Sequence, residues 1–179
     1  MADDDSRAPA QPDTKDWTWV LDRPCPECGF VAAEVDPATL GATVRALTPR
    51  WQAALSRPDS TERPNPTTWS TCEYAAHVRD VNRVFAARLA AMLEADDPEF
   101  ANWDQDATAL ADRYDRQVPS TVAAELAVEA AALADRFDAV RPDQLARSGR
   151  RSNGSRFTVA TLGQYYLHDV VHHLHDVGA

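Results

Sequence analysis

Between Ser70 and Ala95, the side chains of Tyr74, His77, Val78, Val81, Phe85, Leu89 and Met92 return every three or four residues, the period of a helix that buries one face. Ser70 with Glu73 three residues on forms a capping box, which predicts a helix from about 70 to 95. The same period recurs three more times. Asp36-Pro37 supplies a cap and a first-turn proline for a helix to about Arg57, with a kink or break expected near Thr48 because Pro49 lies inside. Pro119-Ser120 opens another, to about Val140, with Val122, Leu126, Leu133 and Phe137 inside. Thr158 caps the last, Val159 to Val177. The polar stretch from Asp96 leaves room for a short helix through Tyr114, and Arg147 to Arg156 reads as a polar, glycine-containing loop. No segment shows the alternation of a strand. The prediction is an all-α four-helix bundle over residues 36–179.

Two segments precede it. Residues 1–14 hold Asp3-Asp4-Asp5, Pro9 and Pro12 with almost no large apolar side chain, so they are expected to form a flexible acidic tail. Residues 15–35 form an N-terminal extension in which Trp17, Trp19, Val20 and Leu21 can anchor to the core and lead into Cys25-Pro26-Glu27-Cys28. A Cys-x-x-Cys turn is half of a structural zinc site, a redox dithiol or two packed thiols, and spacing alone leaves all three open. Cys72 reads as a small buried hydrophobe.

Charge narrows the partners. With 18 Lys and Arg against 28 Asp and Glu, the formal net charge is −10, which opposes phosphate backbones and anionic lipid surfaces. Neither nucleic acid nor membrane is expected as a partner. No apolar run approaches the roughly 18 residues of a membrane span, and the basic and apolar regions of a secretion signal are missing from the start of the chain, so the expected location is cytoplasmic.

The chemistry sits in the histidines. His168 and His172, four residues apart, project from one face of the last helix, where Thr161, Tyr165 and His175 share their stripe and His173 points elsewhere. His77, on the inward stripe of the second long helix, can supply a third imidazole. Three neutral imidazoles leave a divalent ion one position for water or substrate. The reading is therefore a site of His77, His168 and His172, with His175 outside the ligand set and Asp80 or Asp169 accepting an imidazole N–H.

Trp69-Ser70 followed by Glu73 and His77, together with His168-Asp169-Val170-Val171-His172, resembles the DinB/YfiT-like superfamily of bacterial metal-dependent four-helix bundles, which includes thiol-dependent S-transferases and mycothiol-dependent maleylpyruvate isomerases. The resemblance spans roughly residues 36 to 177. It implies a divalent metal on His77, His168 and His172, zinc first with nickel or iron as alternatives. It also implies a small thiol as co-substrate, deprotonated on the metal to attack a small-molecule electrophile in S-transfer or isomerisation. The scarcity of lysine beside arginine suits a GC-rich genome such as an actinobacterium's, where that thiol would be mycothiol. Family members are often homodimers.

Arg79, Arg83 and Arg156, with Arg150 and Arg151, are the residues expected to recognise an anionic substrate, since guanidinium grips carboxylate through two hydrogen bonds. Two other readings stand beside the thiol enzyme. One is a non-catalytic, stress-associated metal-binding bundle whose ion has a closed shell completed by His175 or a cysteine. The other is a zinc-dependent hydrolase that uses Asp80 or Glu73 as general base.

Overall fold

Each long helix starts where its cap chemistry lies. The computed structural model describes residues 10–179, with α1 over Leu40–Leu55, α2 over Thr71–Glu94, a short α3 over Gln105–Ala111, α4 over Pro119–Asp138 and α5 over Val159–Asp176. Ser70 Oγ accepts from Glu73 N at 3.2 Å while Glu73 Oε2 accepts from Ser70 N at 2.8 Å, so α2 begins with both halves of its capping box satisfied. Asp36 caps a single 3-10 turn, Pro37–Thr39, that leads into α1. Pro49 sits inside α1 and the helix continues through it, so the expected break does not occur.

The four long helices form a bundle in which α4 packs against α1 and α2, and α5 packs against α2. Trp51, Leu89, Met92, Leu126, Leu133, Leu162 and Tyr166 fill its centre, each at most 1% exposed. At Gly41, α1 approaches α4 so closely that a Cβ would stand 2.7 Å from the Ala134 carbonyl oxygen; only glycine fits that crossing. The fold is the all-α four-helix bundle with an N-terminal extension read from the sequence.

Two expectations change. The segment read as a loop from Arg147 to Arg156 is largely a hairpin of β2 (Ser148–Arg151) and β3 (Arg156–Thr158), with β1 (Glu99–Phe100) pairing parallel to β2. These strands are too short and too arginine-rich to display an alternating pattern. Of the flexible tail, residues 1–9 lie outside the described residues. Residues 10–14 pack on the body: Gln11 N donates to Thr67 O at 2.9 Å, and Asp13 Oδ2 accepts from Trp17 Nε1 at 2.6 Å. The extension beyond them carries the 3-10 turn Trp17–Leu21 and lies against α5.

Candidate metal centre

The register of α2 against α5 sets the site. Tyr166, fully buried on α5, donates its hydroxyl to Asn82 Oδ1 on α2 at 2.7 Å. Seven residues further along α5 and five back along α2, the rings of His173 and His77 meet edge to face with centroids 4.9 Å apart, as an antiparallel pair requires. Tyr166, Asp169 and His173 form one i, i+3, i+7 stripe, and that stripe faces α2.

The sequence-predicted triad is therefore divided. His77 gathers with Asp169 and His173, whose ligand atoms all lie within 4.8 Å of one another, whereas His168 and His172 gather with Cys25 and Cys28. His173, expected to point elsewhere, is in the group with His77. The physical reason is the 100° between successive residues of a helix: His168 and His172 occupy the face next to the one that meets α2, and the N-terminal extension covers it. Trp17 stands over both of them, at ring distances of 5.4 and 4.8 Å. His175 is exposed.

Around His77 the donor atoms are poised and unused. Its Nε2 stands 3.3 Å from Asp169 Oδ1, and His173 Nε2 stands 3.6 Å from the same oxygen. Ligand atoms around a tetrahedral zinc, at bonds of about 2.0–2.2 Å, stand about 3.3–3.6 Å apart. Both nitrogens of His77 and Asp169 Oδ1 are buried without a hydrogen-bond partner, an arrangement that costs about 1–3 kcal/mol per group unless something binds there. His173 Nδ1 lies 2.8 Å from Asp176 Oδ2. That contact fixes the ring and leaves Nε2 turned to the cluster, as the carboxylate behind a ligating imidazole does. Burial opposes the charge of Asp169, but the imidazoles of His77 and His173 hold its carboxyl well below the usual range. Trp103 stacks on His77 at 5.4 Å and 7° between planes, and Trp69 lies at 5.5 Å. The residues present fit a divalent ion.

The cluster opens into a cavity of about 620 Å³ whose walls include Trp17, Trp69, Trp103, Tyr165, Arg151 and the carboxylates of Asp13, Asp104 and Asp106. Burial, helped by Asp104 and Asp13, raises the Asp106 carboxyl above its ordinary value. Arg79, Arg83 and Arg156 do not line this cavity. Arg79 is buried against Asp80 and Glu125, Arg83 pairs with Asp80 and Glu129, and Arg156 is an exposed neighbour of Asp97. Two cations stand on the wall: Lys15, paired with Glu27, and Arg151, which donates to the Asn153 and Ser155 side chains and has no carboxylate in ion-pair range among the described residues. Asp80 and Glu73 are likewise committed elsewhere, Asp80 to Arg79, Arg83 and the Tyr114 hydroxyl, Glu73 to Arg63 and the α2 cap. Neither serves His77 or acts as a base at the cavity.

The sequence did carry a signal for the observed set. In His168-Asp169-Val170-Val171-His172-His173, a second i, i+4 pair, Asp169 and His173, runs one residue out of step with the first.

No curated protein matches the chain. Among solved structures, YfiT from Bacillus subtilis, described as a probable metal-dependent hydrolase with an unusual four-helix bundle topology, superposes with a TM-score of 0.69 at 15% identity, covering 79% of this chain and 85% of its own. That likeness is one of fold. Residues 42–177 match the family model of the DinB superfamily, and the chain belongs to that superfamily.

Proposed function

We propose that the chain is a metal-dependent enzyme in which His77, Asp169 and His173 hold a divalent ion, zinc first with nickel or iron as alternatives, at the floor of the cavity. The observation that carries this reading is the convergence of His77 Nε2 and His173 Nε2 on Asp169 Oδ1, at 3.3 and 3.6 Å, beside a cavity large enough for two small reactants. An ion bound there supplies a low-pKa thiol or water at neutral pH. The chain's own residues select what comes next to it. Three indoles and a ring of Asp, Asn and Gln side chains line the cavity; indoles give flat apolar faces and carboxylates accept from hydroxyls, which suits a thiol borne on a polyhydroxylated scaffold, as mycothiol is. Arg151 offers a guanidinium to an anionic electrophile. The reaction proposed is thiol transfer to that electrophile, or its isomerisation by reversible addition of the thiol.

Hydrolysis is the second reading, favoured by Asp106, a carboxyl on the cavity wall held above its ordinary value and offered as the general base. The test is turnover of a panel of electrophiles with and without mycothiol, in wild type and in His77→Ala and Asp169→Asn. Thiol-dependent turnover lost at least about 100-fold in both variants supports the first reading, and thiol-independent hydrolysis lost in both supports the second. Turnover untouched by either substitution overturns the site.

A further inference from the structure

The site described above uses neither Cys25 and Cys28 nor His168 and His172. We propose that these four residues form a second, closed metal centre, a Cys2His2 zinc site that staples the N-terminal extension to α5.

One sulfur or nitrogen from each of the four lies within 4.8 Å of all the others. The Cys-Pro-Glu-Cys turn is built for this. Gly29 N donates to Cys25 O at 2.9 Å and Cys25 N donates to Phe30 O at 2.8 Å. Gly29 adopts φ +74°, the left-handed conformation that reverses the chain after Cys28 at little cost to glycine. Both thiols are free. Cys25 Sγ stands 3.7 Å from His172 Nδ1, against about 3.6 Å between sulfur and nitrogen ligands of a tetrahedral zinc with bonds of about 2.3 and 2.0–2.1 Å. His172 Nε2, on the far side of the ring, lies 3.6 Å from Glu27 Oε2 and 3.8 Å from Asp176 Oδ1, carboxylates placed to orient a ligating imidazole. His168 Nε2 is buried with no hydrogen-bond partner, in a residue 3% exposed. A metal on that nitrogen would remove the orphan.

The other readings of the turn fit less well. A redox dithiol needs an accessible, activated thiolate, but Cys25 is 1% exposed, and Trp17 and Phe30 pack on the rings of His172 and His168. Two packed thiols give no reason for two imidazoles to converge on them. A tetrahedral set of two thiolates and two imidazoles selects zinc over magnesium, calcium or manganese, and filling it releases the thiol protons to solvent. The extension held this way brings Lys15, Trp17 and Glu27 to the wall of the cavity that His168 and His172 also line, so the ion shapes that wall.

The test uses the full chain, purified under reducing conditions. Wild-type protein stripped and reloaded with cobalt is expected to show the charge-transfer absorption of cobalt–thiolate bonds, and to keep it in His77→Ala/His173→Ala. Cys25→Ser/Cys28→Ser is expected to lose that absorption and to hold one zinc fewer per chain by elemental analysis. Absence of the thiolate absorption in cobalt-loaded wild type, which requires no variant to fold, overturns the proposal. So does a Cys25→Ser/Cys28→Ser protein that retains the full zinc content of wild type. Failure of the His77 site would leave the sulfur-derived absorption in place, so the two proposals fail separately.

Discussion

The Tyr166 hydroxyl donates to Asn82 Oδ1 at 2.7 Å inside the bundle, in the same register of α5 on α2 that sets His173 against His77. Asn82 also donates its Nδ2 to Val78 O at 2.8 Å, so its amide is held on both sides. Tyr166→Phe removes the donor and leaves a buried amide oxygen unsatisfied, an expected loss of about 1–3 kcal/mol in unfolding free energy. Urea denaturation of the two proteins checks it. Equal stability would mean the bond does not set the packing.

Asp176 is expected to act through His173. Removing the carboxylate that contacts His173 Nδ1 at 2.8 Å frees the ring to rotate, and loss of such a partner weakens metal affinity about 10–100-fold. Asp176 also lies near His172. The comparison therefore belongs in the Cys25→Ser/Cys28→Ser background, Asp176→Asn against its parent, by competition with a chromophoric chelator. Unchanged affinity would remove Asp176 from the account.

Arg151 should read out as a binding residue. It packs over Tyr165 at 5.8 Å and lines the cavity. Arg151→Ala is expected to raise KM for an anionic electrophile about 10–100-fold, the worth of a charge-assisted bond, with a smaller change in kcat and none in KM for an uncharged one. Steady-state kinetics with a charged and a neutral substrate of similar shape decides it.

Acid stability should depend on Glu73 and Asp80. Burial works to raise both, but Arg63 and the Ser70 cap hold Glu73 below its ordinary value, and Arg79 with Tyr114 does the same for Asp80. A carboxyl depressed in the folded state contributes stability above its unfolded pKa, about 4, and loses it as pH falls toward the folded value. Wild type is thus expected to lose stability steeply below about pH 4. Glu73→Gln and Asp80→Asn should be less stable at neutral pH with a shallower acid limb. Parallel acid limbs in urea midpoints measured from neutral pH down to pH 3 would contradict the assignment.

The helices were legible because their signals are local. A capping box at Ser70 and Glu73, a proline at Pro119 and the threonine cap at Thr158 act within one turn, and the apolar stripes say which faces go inside. The face of α5 that would meet α2 was not legible in the same way. His168 with His172, and Asp169 with His173, are equivalent pairs on a helical wheel until something distant chooses between them. Two distant things choose: the Tyr166–Asn82 bond across the bundle, and the extension that lays Trp17, Cys25 and Cys28 over the first pair. The hairpin was missed for a related reason. Its strands are held by pairing with each other and with Glu99 and Phe100 rather than by a buried alternating face.

The site proposed at the cavity floor has His77, Asp169 and His173 as its ligands. Zinc-edge anomalous diffraction from crystals of the zinc-loaded protein tests it most directly. The expected result is a peak bonded to His77 Nε2, Asp169 Oδ1 and His173 Nε2 at about 2.0–2.2 Å. A zinc-loaded crystal with no peak among those three atoms, or with one shared by His77, His168 and His172, would contradict it.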